Sequence, residues 1–177
     1  MKATGIFRRI DELGRIVIPK EIRKNLHIRE GDSIEIYITE NEEIMLRKYS
    51  SLKNIKDFAQ RFTDSIYSLL KSNILVTDKD HIIAASGECK KDYLEKGIHE
   101  EVATFIARRN NILEKHKKAI HFLEDKEVEC TYVIEPICVE GEVEGLFIIF
   151  STEDAITETE QKIARIATEF FMKYLEE

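Results

Sequence analysis

Long apolar runs are missing from this chain of 177 residues: the longest, Gly145–Phe150, has six, against the roughly 20 that span a bilayer. No membrane-spanning helix is expected, and no contact with a membrane. The opening Met-Lys-Ala-Thr-Gly soon gives way to charge, so no signal-peptide core is read there. Cysteine is scarce. Cys89, Cys130 and Cys138 make neither an even disulfide set nor a C-x-x-C pair. Cys130 and Cys138 fall within one predicted strand, too far apart to bridge at about 3.3 Å per residue, and read as buried small hydrophobes. A reducing cytoplasm is the expected compartment. Also lacking are a glycine-rich phosphate loop, an H-E-x-x-H and any persuasive Ser/His/Asp or Cys/His arrangement. Neither catalysis nor a cofactor is expected. His81, His99, His116 and His121 read as scattered, and the spacing of His116 from His121 fits no standard zinc pattern. No metal site is expected.

Charge, by contrast, is plentiful: 27 Lys and Arg against 34 Asp and Glu, for a net −7. Taken whole, that balance disfavours a polyanionic partner. Its distribution reverses the inference. Residues 1–30 carry eight basic groups and four acidic ones, or +4, and residues 1–53 sum to +2, leaving −9 for residues 54–177. A basic head and an acidic body point to separate tasks.

Hydrophobic periodicity divides the chain in the same place. Ala3–Ile10 and Arg15–Ile18 read as strands around an Asp11-Glu12-Leu13-Gly14 turn. Pro19 suits the first position of a helix over Pro19–Leu26, with Ile22 and Leu26 on its buried side. Lys20, Arg23, Lys24 and His27 then share an opposite arc of roughly 100°. Ser33–Thr39 alternates with three isoleucines on one face, and a turn at Glu40-Asn41-Glu42 returns it as Glu43–Lys48. Such a unit of about 50 residues has no disulfide or metal motif to staple it. Association between chains is its expected route to stability.

Beyond a boundary at Tyr49-Ser50-Ser51, Leu52, Ile55, Ala59, Phe62, Ile66 and Leu69 mark one heptad-spaced helix over residues 52–70. Asn73–Thr77 and His81–Ala85 form a hairpin, residues 90–109 are mostly helical, and residues 128–139 and 142–150 form a second hairpin. Thr157-x-x-Glu160 is a capping box for a last helix carrying Ile163, Ile166, Ala167, Phe170, Phe171 and Tyr174 along one side. The two helical seams can meet within one chain or pair with those of a second chain as a four-helix bundle.

The segment from Met1 to Lys24, and above all Asp11-Glu-Leu-Gly-Arg-Ile-Val-Ile-Pro19, resembles the AbrB-type transition-state regulators. The likeness continues through Leu26, Ile28, Arg29-Glu30-Gly31-Asp32 and the strands to Lys48-Tyr49, covering about the first 50 residues. The length and the heptad helix after Ser51 resemble the members of that family that add a C-terminal GAF-like domain. The resemblance implies an α+β protein. Residues 1–50 would be a dimeric swapped-hairpin β-barrel, AbrB-like, that binds DNA. Residues 51–177 would be a GAF-like α/β domain with flanking helices, serving oligomerisation and sensing.

It further implies contacts to double-stranded promoter DNA from Arg8, Arg15, Arg23 and Lys24, with Lys2, Arg9 and Lys20 in support. Arginine forks onto phosphate oxygens or guanine edges, whereas Lys24, where the family often has arginine, is better suited to a phosphate. The implied function is cytoplasmic transcriptional regulation of bacterial sporulation, by activation or repression. The implied assembly is a homotetramer, made of barrel dimers joined through the GAF-like helices, with an unidentified small-molecule effector. An antitoxin-like DNA-binding partner of a toxin is the alternative. It predicts a disordered toxin-binding tail, which the patterning of residues 54–177 does not match.

Overall fold

The structure, a computed structural model, describes residues 5–176. The chain divides into two compact units, the first ending at Tyr49 and the second opening at Ser50. Together they make an α+β protein. Among the described residues no helix is long and apolar enough to cross a membrane.

In the first unit, helix α1 (Lys20–Asn25) precedes a hairpin of β1 (Ile34–Ile38) and β2 (Ile44–Lys48), paired antiparallel from Ile34↔Lys48 to Ile38↔Ile44. The helix is shorter at both ends than its periodicity suggests. Pro19 caps it from outside with an extended backbone. At the other end His27 turns left-handed, with φ 52°. His27 N–H then donates to Lys24 O and Ile28 N–H to Arg23 O, at 3.3 and 2.8 Å. That pairing is a Schellman turn, which satisfies the last carbonyls and stops the helix. His27 therefore leaves the basic arc on which its spacing would place it.

Two further expectations fail in the isolated chain. No strand forms over residues 5–18; a tight turn at Asp11–Arg15 joins two irregular arms. Strands need a partner edge, and the β1–β2 sheet contains only its own two. The apolar residues are correspondingly uncovered: Phe7 is 89% exposed, Ile38 80% and Leu26 56%. The one-sided isoleucine face of β1 exists, but nothing in the same unit lies over it.

The second unit is built differently. Five antiparallel strands lie in the order β4-β3-β7-β6-β5: β3 (Asn73–Thr77), β4 (Ile82–Ser86), β5 (Ile112–Leu123), β6 (Lys126–Val139) and β7 (Glu142–Ser151). On one face α2 (Ser51–Asn54), α3 (Lys56–Leu70) and α6 (Glu158–Glu176) cover Ile74, Val76, Ala84, Val133, Phe147 and Ile149. On the other, α4 (Lys90–Tyr93) and α5 (Glu100–Arg108) cover Leu75, Ala85, Tyr132, Ile134, Ile148 and Phe150. Alternating residues of one strand thus serve two cores. Helices cover both faces of the antiparallel sheet.

The helix expected over residues 52–70 is broken at Ile55, which caps α3 with φ −105° and ψ 21°. The helical stretch 90–109 divides into α4 and α5 because residues 94–97 run beside β4: Ile82 N–H donates to Lys96 O and Glu95 N–H to Ile82 O, each at 2.9 Å. At α6 the capping box forms, with Glu160 accepting from Thr157 N–H at 2.8 Å and Thr157 Oγ1 from Thr159 N–H at 3.2 Å. The helical seams meet within the chain, where Phe58 stacks on Tyr174 at 4.3 Å and Phe62 on Phe170 at 5.3 Å. Their outer margin stays open: Leu69 is 85% exposed and Ile166 66%.

Gly145 lets the opening helix seat on the sheet. A Cβ there would lie 1.8 Å from the Thr77 carbonyl oxygen and 2.7 Å from Leu52 Cδ1. Neither a β3 carbonyl within the sheet nor a fully buried leucine can easily retreat. Gly145→Ala is therefore expected to destabilise the second unit by at least about 1–3 kcal/mol, as overpacking does. Urea unfolding of the whole chain followed by far-UV circular dichroism checks it, and an unchanged midpoint would show that the sheet yields.

Candidate nucleic-acid interface

The turn that carries Arg15 is organised by one carboxylate. Asp11 Oδ1 accepts the backbone N–H groups of Leu13 at 3.0 Å and Arg15 at 2.8 Å, while Oδ2 meets Arg15 Nε at 2.8 Å. Gly14 supplies the left-handed backbone, with φ 75°, that lets its own N–H return to Asp11 O at 2.9 Å. The Arg15 backbone N–H, followed by its side chain, holds the Asp11 carboxyl below its ordinary range. Asp11 is thus ionised at neutral pH, and it spends one guanidinium nitrogen of Arg15 on orientation. The Arg15 side chain remains 72% exposed.

Arg8 and Arg9 lie on the exposed arm before this turn, and Arg8 Nη1 donates to the Phe7 carbonyl at 2.8 Å. Arg8 and Arg15 stand on either side of the turn, and each guanidinium takes a local acceptor. Lys20, Arg23 and Lys24 project from α1, all exposed. The helix is tied to the hairpin behind it: Lys48 Nζ, on β2, donates to His27 O at 3.0 Å and pairs with Asp32 at 3.0 Å. Asp32 in turn accepts the Arg29 N–H at 2.7 Å, closing the loop between α1 and β1. Arg23 and Lys24 therefore stand on a short helix with a fixed end, although no hydrogen bond or ion pair among the described residues holds their own side chains. Lys2 lies outside the described residues.

Two of the second unit's three thiols are withdrawn from chemistry: burial pushes Cys89 and Cys130 up to about 12, so neither is a thiolate at neutral pH. An open cleft of about 740 Å³ lies between the β5–β6 turn and the segment after α4, lined by Lys91, Asp92, Lys96, Gly97 and Leu123–Lys126. The aromatic core beneath is filled by Tyr93, Phe122, Tyr132 and Phe150.

Two histidines were misplaced by reading the sequence. Far from being scattered, His99 and His121 have ring centroids 4.9 Å apart, with Glu101 beside them. The 22-residue separation hides this, because β5 returns alongside the start of α5. No local spacing motif signals it.

The family described as stage V sporulation protein T C-terminal, transcription factor, matches residues 54–176. The family described as antidote-toxin recognition MazE, bacterial antitoxin, matches residues 7–54 only. Stage V sporulation protein T of Bacillus subtilis is 41% identical over 179 residues, covering 100% of both chains. The transition state regulatory protein AbrB of the same organism is 57% identical over 49 residues, 28% of this chain and 50% of that protein. Among solved structures, a type II free methionine-R-sulfoxide reductase from Thermoplasma acidophilum is similar in fold, with TM-score 0.51 at 14% identity, covering 68% of this chain and 94% of that one.

Proposed function

The chain belongs to the stage V sporulation protein T family of transcription factors, and from that premise we propose that its head grips double-stranded promoter DNA through Arg8, Arg15, Arg23 and Lys24. It is a sporulation transcriptional regulator with an AbrB-like DNA-binding domain. The observation that carries the residue assignment is the Asp11-ordered turn, which presents Arg15 while α1 presents Arg23 and Lys24. Arg9 and Lys20 flank these groups and supplement them, and Lys2 is assigned the same supporting role from sequence alone. An antitoxin role is not favoured, because the antitoxin family matches only the head while the rest is a folded unit matched by a transcription factor family.

Our reading of the mechanism is electrostatic and shape-based. Guanidinium and ammonium groups that replace condensed counterions on phosphates supply affinity, and the sequence dependence of DNA bending supplies much of the choice of site. Dimerisation of the head doubles the basic set. The exposed margin of α3 and α6, Leu69 with Ile166, then pairs two dimers into a tetramer through contacts of a second kind. The protein acts in the cytoplasm without catalysis of its own, and the cleft at the β5–β6 turn is where a small-molecule effector would enter.

Arg15→Ala is expected to weaken binding to a promoter fragment and to reduce the slope of log affinity against log salt by up to about one. Gel shifts across a salt series read both quantities; unchanged affinity and slope in a folded variant would remove Arg15 from the interface. The joint variant Leu69→Glu with Ile166→Glu is expected to lower the mass seen by light scattering from tetramer to dimer. A wild-type mass would place the second contact elsewhere.

A further inference from the structure

We propose that His99, Glu101 and His121 form a binding site for a divalent transition-metal ion of the zinc class, with Glu127 as an outer carboxylate on the far nitrogen of the His121 ring. One donor atom from each of the first three lies within 4.8 Å of the others, all on partly buried residues, and this is the one such His/Glu group among the described residues. His121 Nδ1 is 3.8 Å from a Glu101 carboxylate oxygen, and His121 Nε2 is 3.7 Å from one of Glu127. A tetrahedral zinc ion with bonds of about 2.0–2.1 Å sets its donors about 3.3 Å apart. Loading therefore asks these side chains to draw together from separations of up to 4.8 Å.

The main chain brings these residues together independently of any ion. His99 N–H donates to Phe122 O at 3.0 Å, and His121 N–H to Glu101 Oε2 at 3.1 Å, so the start of α5 is pinned across β5. Glu127 stands opposite His121 in the β5–β6 register. Two imidazoles with a carboxylate and no thiolate suit zinc, nickel or copper, while calcium and magnesium prefer an all-oxygen shell.

One contact must be exchanged. His99 Nδ1 accepts the Glu101 N–H at 3.1 Å, capping α5, which in a neutral ring leaves the proton on Nε2. Metal loading turns the His99 ring and releases that cap. An ion here would join α5 to the β5–β6 hairpin, whose turn, Leu123–Lys126, lines the open cleft. The ion would thereby act on the same end of the domain.

Titration of the whole chain with Co²⁺, read by its visible d–d bands, and then with Zn²⁺ in competition, tests the site. One ion per chain is expected, with a nitrogen–oxygen spectrum lacking thiolate charge transfer. His99→Ser keeps a capping oxygen while removing the imidazole, so its fold is expected to survive. It and His121→Ala should each lose at least about tenfold in affinity, the scale seen even for partners one shell further out. His116→Ala, an exposed β5 histidine outside the group, should bind as wild type. Absence of saturable binding, a thiolate band, or wild-type affinity in His99→Ser and His121→Ala would overturn the proposal.

Discussion

The head of this protein cannot cover its own apolar surface, and much else follows from that shortage. Phe7, Ile10, Leu13, Ile16 and Val17 all lie exposed around a turn, and Ile36, Ile38 and Ile44 lie exposed on the hairpin. Burial of such side chains is worth roughly 1.5–3 kcal/mol each, so leaving all of them wet forfeits most of what could hold so small a unit. A second copy presents the same uncovered set and, in the arms over residues 5–18, the strand edges that the β1–β2 hairpin lacks. The interleaved barrel that AbrB-like sequences imply resolves both deficits together. We propose that dimerisation is part of folding and that it doubles the cations assigned to DNA.

The local order already present in the single chain serves this arrangement. Asp11 closes its turn through three bonds to the following residues, and the Schellman turn at His27, held from behind by Lys48, ends α1 at a defined point. Neither depends on a partner. The positions from which Arg15, Arg23 and Lys24 depart are therefore fixed by short-range hydrogen bonds, while the body of the barrel awaits association. The second unit, by contrast, buries a core on each face of its sheet and leaves only the margin of α3 and α6 apolar and exposed.

Much of this was legible in the sequence wherever the signal is local. Alternation in Ile34–Ile38, the hairpin turns at Asp78–Asp80 and Glu140-Gly141, and the Thr157–Glu160 cap all report on neighbours within a few residues. Strand β5 was not, because Glu114–Lys118 is polar throughout, as an edge strand with one exposed side and a register shift can be. The break at Ile55 left the heptad pattern intact. The approach of His99 to His121 depends on β5 itself, so missing the strand meant missing the cluster. Residues 5–18 show the opposite case: their β-rich composition is plain, yet in the lone chain they pair with no strand. For the residues proposed to face DNA, charge and spacing single out the positions but do not reveal the carboxylate that orients Arg15.

The central claim is that the head folds only with a second copy. Sedimentation equilibrium of residues 1–53, run with far-UV circular dichroism at the same dilutions, tests it most directly. Folded signal and dimer mass should disappear together as concentration falls. A monomer that keeps its β-sheet spectrum at every dilution would contradict the account.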